Sequence, residues 1–392
     1  MSRTKDKLMD ELESYEDDPF TEDMFMSTTA TTPKAAVEDL VKEAIKEEVR
    51  KRKNAEGVEL EAAQETTTAP EVAAPVKLEA KEGQVMFNKL LKKKLAHDFP
   101  VSVFKDEDWD EKVRGFIPKV DPSYHIVTEH AEAILRAWEL NDKTLIHGPT
   151  GAGKSSVVQQ LCGITHRPFI RVNCSGDMDS SMIFGQLLAK DGSTVWQDGT
   201  VTEAVKYGAV FAWDEWDVTP SEISMGLQWL LEDDGKLFLK EMPGASHEKF
   251  IKPHEHFRLV AIGNTQGQGD ETGAHSGTNV QNTATLDRFG TCIRIGYLPE
   301  SVEVKMLVTK FSTFINDSVA KPLVQFANLI RQGYNSGQLS LTVSPRTLLG
   351  VCKKLSFGMS LAESLDVVYI NKLPESHQRV ARELYKKVYG SK

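Results

Sequence analysis

A glycine-rich loop that ends in lysine and serine is the strongest chemical signal in the chain. It runs from Gly148 to Ser155, after an apolar stretch (144–147) and before a helical one (156–162). Its glycines let backbone N–H groups face a phosphate chain, and the next helix adds the positive end of its dipole. The lysine then reaches the terminal phosphates and the serine offers a hydroxyl to Mg²⁺. The pattern therefore predicts that ATP and Mg²⁺ are bound by Gly148, Pro149, Thr150, Gly151, Ala152, Gly153, Lys154, Ser155 and Ser156.

Two adjacent acids follow a later apolar stretch. Asp214 and Glu215 come directly after the run Ala-Val-Phe-Ala-Trp at residues 209–213. We expect Asp214 to hold Mg²⁺, directly or through water, and Glu215 to polarise the attacking water. The pair indicates hydrolysis of the nucleotide as well as binding.

Three further polar residues fit the same chemistry. Asn264 ends the apolar run that starts at Phe257, where it could position water between the acids and the γ-phosphate. Arg288 lies in Leu-Asp-Arg-Phe, and Arg346 lies in Ser-Pro-Arg-Thr at the start of a helical segment. Phosphoryl transfer needs positive charge beyond lysine and Mg²⁺, and an arginine of a neighbouring subunit can supply it. By themselves, such arginines are more often surface ion-pair partners.

Strand and helix signals alternate around these residues. Apolar strands are predicted at residues 144–147, 169–172, 210–213, 259–262 and 292–295. This alternation predicts an α/β fold, a parallel sheet with helices on both faces. After Pro299 the pattern becomes helical, for example at 302–314 and 320–332, which predicts a smaller α-helical domain.

The chain accordingly divides into three predicted parts. Residues 1–83 are predicted to be an acidic, disordered extension, with a helical pattern at 35–53 and a linker rich in Pro, Ala and Thr at 64–83. Such a segment suits either a solubilising tail or a partner-docking arm. Residues 84–299 form the α/β ATPase domain with its lead-in, and 300–392 the helical lid.

Composition narrows the class of protein. The 392 residues are 40% hydrophobic and 27% charged, with a net charge of −10 that disfavours nucleic acid as a partner. The four cysteines form no C-x-x-C pair, which indicates reduced thiols. The charged N-terminus lacks the apolar core of a signal peptide, and no apolar run approaches the roughly 20 residues that span a bilayer. We therefore expect a cytoplasmic protein without a membrane segment.

Several loops outside the ATP motifs are distinctive, namely the segments 118–124 (PKVDPSY), 201–204 (VTEA), 251–259 (IKPHEHFRL), 273–278 (GAHSGT) and 286–289 (LDRF). With the ATP motifs, they resemble the MoxR branch of AAA+ ATPases, and within it the CobS-like family of cobaltochelatase ATPase subunits. The resemblance covers roughly residues 116–345. The acidic first 83 residues, and Trp213 and Trp216 around the paired acids, depart from the family pattern.

The resemblance implies roles for single residues and an assembly. Asn264 corresponds to sensor 1, Arg288 to the arginine finger and Arg346 to sensor 2. Residues 178–206 correspond to the helix-2 insert and 235–250 to the pre-sensor-1 hairpin, both of which contact partners in relatives. A homo-oligomeric ring is implied, a hexamer by preference, with ATP between subunits. A protein with a von Willebrand factor A domain is the implied partner.

Four functions remain open on this basis. The leading hypothesis is a ring ATPase that remodels a partner protein. The second is a cobaltochelatase subunit proper, and the third is a nucleic-acid motor with Lys190, Lys236 and Lys240 in its pore. The fourth, a ring that binds ATP without turnover, is disfavoured by the intact acids and Arg288. His254 and His256 form an H-x-H pair that is expected to pack rather than to bind metal.

Overall fold

A computed structural model describes residues 78–267, 269 and 281–390 of the chain. The predicted helix at 35–53, residues 64–77 of the linker at 64–83 and the loop at 273–278 lie outside the described residues. The strands are β1 Gln84–Met86, β2 Pro100–Ser102, β3 Thr144–His147, β4 Phe169–Asn173, β5 Gly185–Lys190, β6 Ser193–Asp198, β7 Val210–Asp214, β8 Leu237–Phe238, β9 Phe250–Ile251, β10 Arg258–Gly263 and β11 Thr291–Arg294. The helices are α1 Phe87–Leu91, α2 Glu111–Arg114, α3 Thr128–Leu140, α4 Lys154–Thr165, α5 Ser180–Phe184, α6 Thr200–Tyr207, α7 Ser221–Gln228, α8 Thr283–Leu286, α9 Glu300–Lys310, α10 Asp317–Asn335, α11 Pro345–Leu355, α12 Leu361–Val368 and α13 Glu375–Tyr389.

Five strands form a parallel sheet in the order β11-β3-β10-β7-β4. The central strands β3, β10 and β7 are buried at every position, which is why they read as continuous apolar runs in the sequence. Ile262 of β10 pairs with Ile146 of β3 and with Asp214 of β7. The loops after these three strands therefore leave the same edge of the sheet. The predicted α/β class with helices on both faces is confirmed.

The two faces of the sheet carry separate apolar cores. One core includes Trp109, Phe211, Trp213 and Leu259. The other packs Trp138 of α3 and Leu161 of α4 against the opposite face. Alternate residues of β7 thus point into different cores, as the period of a strand requires.

The residues after Pro299 fold as helices α9 to α13 around a core of their own, which includes Leu307, Phe326 and Leu348. The predicted first helix (302–314) is wrong at its end, because α9 stops at Lys310. Asn316 caps α10 by accepting a hydrogen bond from the backbone N–H of Val319, so the chain must turn between α9 and Asn316.

Among the described residues, none of the helices combines the length and the apolar character that a membrane span requires.

Two antiparallel hairpins extend from the α/β core. β5 and β6 pair within the segment that resembles the helix-2 insert, and β8 pairs with β9 around the segment that resembles the pre-sensor-1 hairpin. The rings of Phe238 and Phe250 stack with their centroids 4.8 Å apart and are each partly exposed.

Candidate active site

The glycine-rich loop joins β3 to α4, as the sequence predicts. Gly148, Gly151 and Gly153 have φ values of +147°, +73° and +94°. A Cβ at Gly148 would lie 1.9 Å from the backbone oxygen of Ile295, and one at Gly151 would lie 2.5 Å from Cβ of Ser344. The loop can therefore pass between β11 and the start of α11 only with glycine at these two positions.

The ammonium of Lys154 lies inside the curve of the loop. Its Nζ donates to the backbone oxygens of Gly148 (2.7 Å) and Pro149 (3.2 Å) and to Oδ1 of Asn264 (2.8 Å). Burial lowers the pKa of Lys154, and the nearby carboxylates of Glu215 and Asp214 oppose that shift.

Asp214, at the end of β7, is buried and makes three polar contacts. Its Oδ2 accepts a hydrogen bond from Oγ of Ser155 (2.7 Å) and lies 2.5 Å from a guanidinium nitrogen of Arg171 on β4. Its Oδ1 accepts from the backbone N–H of Glu215 at 3.1 Å. The two residues predicted to hold Mg²⁺, Ser155 and Asp214, are therefore side by side.

Glu215 has a left-handed backbone with φ +55°, which turns its side chain toward the end of β10. There its Oε2 accepts a hydrogen bond of 2.8 Å from Nδ2 of Asn264. Burial raises the pKa of Glu215, and the negative charges of Asp214 and Asp217 add to this shift. The amide of Asn264 thus joins the P-loop lysine to the second acid.

Asp217 holds Asn264 in place, although sequence reasoning did not single it out. This fully buried carboxylate accepts, through Oδ2, from the backbone N–H groups of Asn264 (3.0 Å) and Thr265 (2.8 Å) and from the Thr265 hydroxyl (2.9 Å). Its Oδ1 has no partner among the described residues. A third acid so soon after Asp214 and Glu215 was the signal available in the sequence.

The glycine residue before Asn264 is also dictated by packing. A Cβ at Gly263 would lie 2.6 Å from Nε1 of Trp216, whose ring is fully buried. Trp216 packs edge-on against Trp213 and Phe289, at centroid distances of 6.1 and 5.6 Å. The two tryptophans that depart from the family pattern are therefore core residues beneath the site.

Arg346 reaches the site from the lid. Its positive charge contributes to the lowered pKa of Lys154. It borders a cavity of about 330 Å³ beside the loop, which is also lined by Tyr124, Gly151, Gly153 and Met306. The segment just before the lid is also tied to the loop, because the hydroxyl of Tyr297 donates to the backbone oxygen of Thr150 at 3.1 Å.

Arg288 lies apart from these residues. Its guanidinium contacts Oε1 of Glu232 (3.2 and 3.3 Å) and the backbone oxygen of Ala284. Within the described residues it makes no contact with the P-loop, the paired acids or Asn264. If Arg288 acts on a phosphate, it must therefore either reach the P-loop of another subunit or change its position within its own subunit.

The residues present fit a nucleotide with Mg²⁺. The adjacent oxygens of Ser155 and Asp214 are the hard ligands that Mg²⁺ prefers when phosphates and water complete its shell. The loop presents a buried ammonium at the start of α4, and a cavity lies beside it.

The H-x-H pair of the sequence lies elsewhere. The ring of His256 packs against the rings of Phe104 and Trp109, at centroid distances of 4.7 and 5.9 Å.

Comparison with known proteins agrees with this geometry. Residues 143–289 match the AAA domain of the dynein-related subfamily. The chain is 29% identical over 283 residues to the aerobic cobaltochelatase subunit CobS of a Sinorhizobium species, covering 70% of this chain and 84% of that protein. The chain contains an AAA domain and is similar to the CobS-like AAA+ ATPases of the MoxR type.

Two other relatives of the chain differ from each other in length. Protein NorQ of Paracoccus denitrificans is 27% identical over 277 residues, which cover 69% of this chain and 96% of NorQ. Midasin of Dictyostelium discoideum is 32% identical over 195 residues, which cover 49% of this chain but only 3% of midasin.

The structure brings most of the predicted site residues together. Lys154, Ser155, Asp214, Glu215 and Asn264 form one connected set, and Arg346 lies beside it. Arg288 does not join the set in its own subunit. Sequence reasoning missed Arg171, Asp217 and Tyr297. An arginine in the middle of a predicted buried strand was the signal for Arg171.

Proposed function

We propose that this chain is a Mg²⁺-dependent ATP hydrolase that works as a ring and remodels a partner protein. The observation that carries the proposal is the amide of Asn264, which contacts both Lys154 (2.8 Å) and Glu215 (2.8 Å). It connects the group suited to hold phosphate with the group suited to activate water. A protein that only binds nucleotide has no need of the second contact.

Each side chain has a step to perform in this proposal. Lys154 binds the terminal phosphates, and Ser155 and Asp214 hold Mg²⁺, which when bound neutralises charge that develops on the phosphates. Glu215 accepts a proton from the attacking water, and its raised pKa makes it a better base than an ordinary carboxylate. Asn264 orients that water, and Arg346 adds positive charge from the lid.

The assembly belongs to the same proposal. Arg288 lies away from its own P-loop on an exposed part of the surface, which suits a finger that serves the next subunit of a ring. A hexamer and a partner with a von Willebrand factor A domain are the arrangement that the CobS-like resemblance supports.

Paired substitutions test the enzymatic part. Lys154→Ala should abolish ATP binding, measured by calorimetry with ATP and Mg²⁺, because the phosphate charge loses its buried partner. Glu215→Gln should bind ATP but lose about 100-fold or more in turnover, because an amide cannot act as a base. Glu222→Gln, an exposed acid on α7, is the control and should change neither quantity. Normal turnover in Glu215→Gln would contradict the proposal, as would unchanged ATP affinity in Lys154→Ala.

A narrower candidate is supported by the match to CobS over 84% of its length. In that case the ring would act in a cobaltochelatase, inserting cobalt with a separate subunit that holds the macrocycle. Cobalt insertion is measured after this chain has been mixed with each purified chelatase subunit in turn. Insertion would favour this candidate over remodelling of another protein.

A further inference from the structure

Arg171 supplies a positive charge to the carboxylate that is suited to hold a metal. Its guanidinium lies 2.5 Å from Oδ2 of Asp214, the same oxygen that accepts from Ser155. Asp214 is 3% exposed. A carboxylate buried to this extent needs a compensating cation, and Arg171 provides one.

The position of Arg171 allows this cation to leave. It belongs to β4, which is an edge strand of the sheet, and its side chain is 46% exposed. Asp214 is its one ion-pair partner within the described residues. A long, half-exposed arginine with a single partner can turn into water at small cost, whereas Asp214 is held by the end of β7 and by Ser155.

We propose that Arg171 is an internal competitor of Mg²⁺ for Asp214. The inference rests on the proposed Mg²⁺ site at Ser155 and Asp214. Two cations cannot share Oδ2 without strong repulsion, so the guanidinium must withdraw when a divalent ion binds there. Arg171 thereby weakens binding of a metal alone. The nucleotide phosphates add the further ligands with which a metal outcompetes the guanidinium.

The test measures metal binding without turnover. The full chain, free of nucleotide, is titrated with Mn²⁺, and free Mn²⁺ is followed by electron paramagnetic resonance. Arg171→Gln should bind Mn²⁺ about tenfold more tightly than wild type, since an adjacent unit charge shifts ion binding to a carboxylate by at least that factor. Arg171→Lys keeps the charge and should stay close to wild type.

Arg294→Gln is the matched control. It removes the same charge from an exposed position on β11, the opposite edge strand of the same sheet, and should leave the affinity for Mn²⁺ unchanged. A second readout is thermal unfolding of the nucleotide-free protein. Added Mg²⁺ should raise the melting temperature of Arg171→Gln more than that of wild type, because only the variant leaves Asp214 without a cation.

The outcomes separate this inference from the proposed function. Equal Mn²⁺ affinity in wild type and Arg171→Gln, including no measurable binding to either, overturns the competition. Weaker Mn²⁺ binding in Arg171→Gln overturns it too, because Arg171 would then help to build the metal site. If Arg171→Gln does not fold, wild type is compared with Arg171→Lys instead. Tighter Mn²⁺ binding by wild type than by Arg171→Lys would then overturn the competition. Failure of the wild type to bind ATP with Mg²⁺ would instead reject the proposed function.

Discussion

Three acids at the end of β7 and just after it have different environments and therefore suit different tasks. Asp214 forms an ion pair with Arg171 and accepts a hydrogen bond from Ser155. Glu215 has a raised pKa and accepts from the Asn264 amide. Asp217 is buried beneath them and faces backbone N–H groups. Because environment sets the chemistry of a carboxylate, one is suited to a metal, one to a proton and one to positioning.

The raised pKa of Glu215 has a consequence for stability. The folded protein binds the proton on the Glu215 carboxyl more tightly than the unfolded chain does. The free energy of unfolding therefore falls as pH rises from about 4.3, the ordinary pKa of glutamate, through the raised pKa of Glu215. Glutamine imitates the protonated side chain. The nucleotide-free Glu215→Gln variant should therefore melt above wild type at pH 8, and the difference should shrink toward pH 4.

Calorimetric melting between pH 4 and 8 measures this difference. Glu222→Gln, whose side chain is exposed, is the control and should follow wild type at every pH. A Glu215→Gln protein that melts below wild type at pH 8 would show that the charged form is the favoured one.

Asp217 acts through Asn264, and its removal should affect both stability and rate. Asp217→Ala leaves three donors without their acceptor, which should lower the free energy of unfolding by about 1–3 kcal/mol. A displaced Asn264 should also lower kcat by about 10-fold to 100-fold with little change in KM.

Urea unfolding and steady-state ATPase assays measure these two effects. Asp217→Asn keeps an oxygen acceptor and should recover part of kcat, whereas the exposed control Asp234→Ala should resemble wild type. A normal kcat in Asp217→Ala would mean that Asn264 keeps its position without the hydrogen bonds to Asp217.

The P-loop is linked to the lid directly at Ser344 and indirectly through Tyr297. Gly151 approaches Ser344, which caps α11, and Thr150 accepts a hydrogen bond from Tyr297. The ring of Tyr297 in turn lies under the guanidinium of Arg331, which forms a buried ion pair with Glu303 of α9. A movement of the P-loop should therefore shift two lid helices, and a movement of the lid should shift the P-loop.

Gly151→Ala tests this contact. The new methyl would lie within 2.6 Å of both Cβ and Oγ of Ser344, so the loop or the N-terminus of α11 must shift. The left-handed φ of +73° adds about 1–2 kcal/mol of backbone strain. We expect the free energy of unfolding to fall by more than this strain alone.

Gly192→Ala is the matched control for Gly151→Ala. Its φ of +75° is nearly the same, but a Cβ there has no atom within 4 Å. Urea unfolding of both variants isolates the cost of the contact as their difference. Equal losses in the two variants would show that the loop and the lid do not press on each other.

Arg288 pairs with Glu232 of its own chain and, among the described residues, contacts none of the groups of the proposed active site. We therefore expect the arginine finger of the proposed ring to come from a neighbouring subunit. Arg288→Ala should bind ATP normally but hydrolyse it roughly 10³-fold more slowly.

Mixing of variants tests whether Arg288 acts across subunits. Glu215→Gln subunits carry an intact finger, and Arg288→Ala subunits carry an intact acid. Mixed rings contain interfaces with both groups, so the ATPase rate should exceed the sum of the two separate rates. Light scattering confirms that rings form. Mixed rings without any gain in rate would mean that Arg288 acts within its own subunit.

The types of groups in the site and the class of the fold could be predicted from the printed residues. Strands that are buried on both faces must be apolar throughout, so β3, β7 and β10 were recognisable from the printed residues. The glycine-rich motif located Lys154, and polar residues at the ends of later apolar runs located Asp214, Glu215 and Asn264. These features depend on neighbours in the chain, which a local pattern can record.

Which of these groups touch depends on how the folded chain orders its strands. The strand order places β10 between β3 and β7, so Asn264 reaches both Lys154 and Glu215. The same packing brings Arg171 of the edge strand to Asp214 and leaves Arg288 against Glu232. Such contacts join residues far apart in the chain, and their geometry comes from side-chain packing across the whole sheet. Hydrophobic periodicity carries no record of that packing, because it reports only which face of an element is buried.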